Sequence, residues 1–116
     1  MAEKRVLVVE DEYLIATEIE AVLREGGIED IVSAATEEAG LKEARHGRWD
    51  AVIADANLNG IGIDRIAAAL FHRGIPLLIV TGYNPESLPP EVSEVPRMSK
   101  PFTGPELMGK LTQIMA

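Results

Sequence analysis

Short aliphatic runs alternate with amphipathic stretches along this chain, and that alternation leaves few folds open to it. Val6–Val9, Asp30–Ser33, Ala51–Ala54 and Leu77–Val80 read as strands, with Val95–Ser99 as a fifth. The runs are almost continuously apolar, the mark of strands covered on both faces. Helical spacing recurs between them. Ile15, Ile19, Val22 and Leu23 form one stripe, stopped by Gly26-Gly27. Thr36 caps a second helix that runs through Leu41 and Ala44 to Gly47. Ile63, Ile66, Ala67 and Leu70 form a third stripe closed by Gly74. Thr103-Gly104-Pro105-Glu106 is a capping box, and Leu107, Leu111, Ile114 and Met115 give the last helix its apolar face.

Strand–helix alternation predicts a parallel sheet with helices on both faces. The expected class is α/β: a flavodoxin-like (βα)5 three-layer sandwich with strand order 2-1-3-4-5. Pro96 cannot donate to a ladder, and in that order the fifth strand is an edge, where proline is tolerated. One segment departs from the alternation. In "NPESLPPEVSE", residues 84 to 94, Asn84-Pro85 can start a helix, but Pro89 and Pro90 end it after about one turn. The helix between the fourth and fifth strands is therefore expected to be short or absent. At 116 residues the chain suits one domain, spanning 1–116, with no output domain expected beside it.

The ends of the strands carry the chemistry. In sheets of this kind ligands bind beyond the carboxyl ends of the strands, near the point where strand order reverses. Glu10, Asp11 and Glu12 follow the first strand, Asp55 with Asn57 the third, Thr81 with Gly82 the fourth, and Lys100 the fifth. Three consecutive carboxylates repel one another in a chain of net charge −8, so something must offset them. Neighbouring strands lie roughly 4.8 Å apart, close enough for acids from the first and third strands to share one ion. A hard dication suits oxygen ligands, and Mg²⁺ suits a partly hydrated site better than Ca²⁺. Asp11 and Asp55 are the expected direct ligands, with a backbone carbonyl near Asn57 and Glu10 acting through water. Glu12, adjacent to Asp11 on an extended strand end, is expected to point away. A phosphoryl group on Asp55 would meet the ion, the Thr81 hydroxyl and the Lys100 ammonium together, which is most of what phosphoryl transfer requires.

In "VLVVEDE", "DAVIADANLNG", "PLLIVTGY" and "MSKPF" the chain resembles the receiver domains of two-component response regulators, over essentially its whole length. Acid pair, lone Asp, Thr and Lys-Pro in this order are a specific signal, though each alone is weak. The resemblance implies that Glu10 and Asp11 are the acidic pair, Asp55 the phosphoacceptor, Thr81 the switch hydroxyl and Lys100 the conserved-type lysine. It also implies a phosphoryl donor, either a sensor histidine kinase or a histidine phosphotransfer protein, and a cis Lys100-Pro101 bond. The chain would then catalyse only its own phosphorylation and dephosphorylation, and signal through protein contacts or onward relay. There are departures. Asn59 replaces the proline usual in the family, and Arg97 stands where many members carry an aromatic that rotates inward. The "TGY" ending is similar to single-domain receivers of the FAT GUY group, although Leu77, Ile79 and Val80 differ from that group's Phe, Phe and Ala. Tyr83, directly after Thr81-Gly82, is the expected aromatic switch in Arg97's stead.

Rival readings fit less well. A hydrolytic phosphatase would want a general acid two residues beyond Asp55, where Asn57 stands. A flavin carrier would need a phosphate-binding loop after the first strand, and acids there repel phosphate. A pseudo-receiver, binding partners without phosphorylation, would not need the acids, Thr81 and Lys100 together. Net charge −8 argues against nucleic acid as a partner. No apolar run approaches a membrane span, no signal-peptide layout is present, and cysteine is absent, so the expected location is cytoplasmic. Remaining polar residues read as ordinary structure: Asp50 and Asp64 as turn or cap residues, His46 and His72 as solvated helix ends, and Trp49 as packing at the entrance to the third strand.

Overall fold

The structure is a computed structural model describing residues 3–58, 61–82 and 94–116. Five parallel strands form its sheet: β1 (Arg5–Val9), β2 (Asp30–Ala34), β3 (Ala51–Asp55), β6 (Leu77–Thr81) and β7 (Arg97–Ser99), in the order β2-β1-β3-β6-β7. Counting only these five, the order is the expected 2-1-3-4-5. A small antiparallel pair not foreseen from the sequence, β4 (Asn57–Leu58) and β5 (Ile61–Gly62), follows β3.

Among the described residues, two helices cover each face. α2 (Glu37–His46) and α3 (Asp64–Arg73) place Leu41, Ala44, Ile66, Ala67 and Leu70 against Leu7, Val9, Val52, Ala54 and Ile79. α1 (Tyr13–Glu25) and α4 (Gly104–Met115) place Ile19, Leu23, Leu107 and Leu111 against Val6, Val8, Ile53, Leu78 and Val80. Alternate residues of β1 thus feed opposite cores, which is why its run reads as unbroken aliphatic. Met98 joins the second core, with Met108 and Met115 partly buried against it.

Most helix ends follow their sequence signals. The Thr36 hydroxyl accepts from Ala39 N at 3.1 Å, and Thr103 and Glu106 form the reciprocal capping box. Gly74 ends α3 in the left-handed conformation, φ 69°, where a side chain is disfavoured. Asp64 is not the cap of α3: Ile63 holds that position, and Asp64 lies in the first turn, where its charge suits the helix dipole. β7 is shorter than expected, because Val95 and Pro96 precede its paired residues. The expectation of a short or absent helix at 84 to 94, and Asn59, lie outside the described residues. No helix among the described residues is long and apolar enough to cross a membrane.

The end of the sheet remote from the strand carboxyl ends is held by Arg5. Its guanidinium sits 4.5 Å over the Trp49 ring and 3.3 Å from Asp30, and its N–H donates to Asp50 Oδ2 at 2.7 Å. Trp49 Nε1 donates to Glu43 O at 2.7 Å. Trp49 and Asp50 thus hold the entrance to β3 in place.

Candidate functional site

β1, β3 and β6 end within two residues of one another, because the register pairs Val9 with Ala54 and Asp55 with Val80. The residues that follow therefore meet at one rim. Glu10 leaves β1 with its N–H donating to Ala34 O at 3.0 Å and is 3% exposed. Asp55 closes β3 at 6% exposed, and Thr81 closes β6 fully buried. Lys100 leaves β7 by a cis bond to Pro101, as expected, and its N–H donates to Thr81 O at 2.8 Å. From that edge its side chain crosses toward β3 and β1. The ammonium lies 3.1 Å from Glu10 Oε1 and 3.6 Å from Asp55 Oδ2.

Glu10, Asp11 and Asp55 each offer a carboxylate oxygen, and these oxygens lie within 4.8 Å of one another. Strand alternation would have sent Glu10 and Asp11 to opposite sides. The strand ends at Val9 and the chain bends at Asp11, so both acids join the cluster. Glu12 is exposed and stands outside it, at the N-cap of α1, as expected; its N–H donates to Glu10 Oε2 at 3.2 Å. Crowding has an electrostatic cost. Burial, reinforced by the Asp55 carboxyl, pushes Glu10 from 4.5 up to about 7, against the lowering effects of the Glu12 N–H and the Lys100 ammonium. Burial also works against the Lys100 charge. Its bond to Glu10 and the nearby charges of Asp55, Glu10 and Glu12 outweigh that, so its pKa is raised.

All donors in the cluster are oxygens, and acids this close favour a hard dication that would relieve their repulsion. The residues present therefore fit Mg²⁺. Asn57 begins β4 next to the cluster in sequence, but its side chain lies outside the described ones. So does Tyr83. Arg97 is half-buried, and its Nε donates to Val95 O at 3.3 Å. His46 and His72 are exposed in the last turns of α2 and α3, remote from the rim.

The direct Glu10–Lys100 pair is the feature sequence reasoning missed. Lys100 reads as a ligand for an oxyanion on Asp55, yet its ammonium lies nearer Glu10. Nothing in the spacing signals this, because the pair joins strands that are not neighbours in the sheet.

A model of the response regulator receiver domain family matches residues 6–112. Solved structures share the fold. The receiver domain of the sensor histidine kinase PA1611 from Pseudomonas aeruginosa PAO1, which has a magnesium ion coordinated in its active site cleft, is 23% identical; the alignment covers 97% of each chain, with a TM-score of 0.85. SdrG from Sphingomonas melonis Fr1 is 31% identical over 100% of this chain and 99% of its own, with a TM-score of 0.86. The receiver domain of the hybrid histidine kinase CckA is 24% identical over 97% of this chain and 99% of that one, with a TM-score of 0.78. A comparison with curated proteins finds no match.

Proposed function

Because the chain belongs to the response regulator receiver domain family, we propose that it is a signalling switch that accepts a phosphoryl group on Asp55. The donor is a phosphohistidine, on a sensor histidine kinase or a histidine phosphotransfer protein of a two-component pathway. The observation that carries this reading is the placement of the Lys100 ammonium between Glu10 and Asp55, 3.1 and 3.6 Å away, at a rim that also holds Asp11 and Thr81.

An Asp55 carboxylate oxygen forms the new bond to phosphorus as the donor's P–N bond breaks, and the leaving imidazole nitrogen keeps the electron pair. The chain's own groups prepare this step. β3 presents Asp55 at a fixed strand end, and Lys100 is already held where negative charge would gather on phosphoryl oxygens. Thr81 adds a hydroxyl from the neighbouring strand. Glu10, Asp11 and Asp55, with a carbonyl near Asn57, would hold Mg²⁺. Bound there, the ion supplies charge neutralisation for the acids and the incoming phosphoryl group. Phosphorylation then alters contacts with a downstream protein or is relayed onward, with Tyr83 as the aromatic that responds to Thr81.

Incubation with Mg²⁺ and a small phosphodonor, followed by intact mass, tests this. A gain of one phosphoryl group in the wild type and none in Asp55→Asn is expected. Equal labelling of Asp55→Asn overturns the assignment.

A further inference from the structure

Three of the described glycines, Gly26, Gly40 and Gly47, would bring an added Cβ within 3 Å of a side chain; Gly26 and Gly47 end helices, and Gly40 lies within one. Gly40 lies buried inside α2, where glycine is unfavourable relative to alanine unless something needs the space of a side chain. That space is filled. A Cβ at Gly40 would stand 2.8 and 3.2 Å from the two Val9 methyls and 3.1 Å from Ile66 Cδ1.

Val9 is the last residue of β1, and its register row is Ala34 in β2, Ala54 in β3 and Ile79 in β6. The next residues along β1 and β3 are Glu10 and Asp55. Ala34, Ala54 and Gly40 are thus small groups around Val9 just below the carboxylates, and Val9 is the member that fills the space left by Gly40. Val9 is fully buried, and its β-branched side chain has little rotameric freedom with which to evade a new methyl. Strain from Gly40 would therefore pass to the strand end, or push α2 outward and loosen the Val9 that precedes the acid pair.

From this we infer that Gly40 is a positioning residue for the metal site: its missing side chain fixes the height of Glu10 and Asp11 relative to Asp55. The inference rests on the proposed binding of Mg²⁺ by those acids. Mg²⁺ is sensitive to such a change, because it demands near-ideal ligand geometry, and functional groups must be held within about half an ångström.

Calorimetric Mg²⁺ titration of the wild type, Gly40→Ala, Val9→Ala and the double variant tests it, with urea unfolding in EDTA measured on each. Gly40→Ala is expected to weaken Mg²⁺ by about threefold or more. Val9→Ala should lower stability yet bind nearly as wild type. The double variant should regain most of the affinity, because the lost Val9 methyls make room for the new one. Should Gly40→Ala not fold alone, it is measured with Ile66→Val, which relieves the second contact and leaves the Val9 contact in place; weakened binding is expected there too. Wild-type affinity in Gly40→Ala overturns the inference, as does affinity that tracks stability across all variants. A wild type that binds no Mg²⁺ overturns the metal reading first, and this inference with it.

Discussion

Glu10 and Asp11 show how much one bond of chain direction decides. Because the chain bends after Val9, two adjacent acids join one carboxylate cluster with Asp55 while Glu12 turns to solvent. Asp11→Ala should therefore cost at least about tenfold in Mg²⁺ affinity, the loss known for groups one step further from an ion. Glu12→Ala should change it little. Equal losses in a titration would place Glu12 among the ligands. Glu10 carries a pH signature as well. Its folded pKa of about 7 lies above the ordinary 4.5, so between those values the folded chain holds more proton than the unfolded one. Stability without metal must then fall as pH rises through that window. The loss is at most about 3 kcal/mol at the top of the window. Thermal unfolding in EDTA from pH 4.5 to 7 should show a steeper decline in wild type than in Glu10→Gln, and parallel slopes would refute the assignment. Asp11, Asp55, Thr81 and Lys100 are legible in the sequence as a group, because each stands at or within two residues of the carboxyl end of a strand. The Glu10–Lys100 contact is not, since its partners are 90 residues apart and reach each other across intervening strands.

Local chemistry made the helices legible. Thr36 and the Thr103–Glu106 box start α2 and α4 with side chains that satisfy backbone groups helix ends leave open, and Gly74 ends α3 through its left-handed backbone and its N–H. Thr103→Ala should lower stability by about 1 kcal/mol, read as a shifted urea midpoint with unchanged slope. No shift would mean that packing of Leu107 and Leu111 alone fixes the start of α4. Asp64 misled because an acid before a helical stripe suits a cap and a first turn equally well. The β4–β5 pair escaped notice because two-residue strands have no periodicity to read. Val95 and Pro96 match β7 in sequence, but its start is set by pairing with β6, and pairing is not written in a strand's own residues. Gly40 went unremarked for a related reason. A glycine inside a helical pattern declares its purpose only when the neighbour that fills its space is known.

At the scale of the whole molecule, the described groups proposed to sense phosphorylation lie at one end of the sheet, while the Arg5–Trp49 clasp ties the other. A signal must therefore leave through elements attached to the rim. Thr81 has two such exits. Its carbonyl accepts from Lys100 N at 2.8 Å, which leads into α4, and its chain continues through Gly82 toward Tyr83. The first exit is braced: the capping box anchors the start of α4, and Leu107 and Leu111 are fully buried. The second begins at an exposed glycine where, among the described residues, an added Cβ would meet nothing within 4 Å, so no described packing opposes movement there. Arg97, at the position expected to carry an aromatic in many receivers, is already bonded to Val95 O and would have to break that contact to follow Thr81 inward. Phosphorylation should accordingly act on the segment from Gly82 to Val95, with Tyr83 as its aromatic pivot. Hydrogen exchange in Mg²⁺, with and without beryllium fluoride as a phosphoryl mimic, should change most between Gly82 and Val95 and little in α4. Tyr83→Ala should blunt that change while leaving phosphorylation of Asp55 intact. Identical exchange of residues 83 to 94 in both states, with a change confined to α4, would show instead that the signal leaves through Lys100.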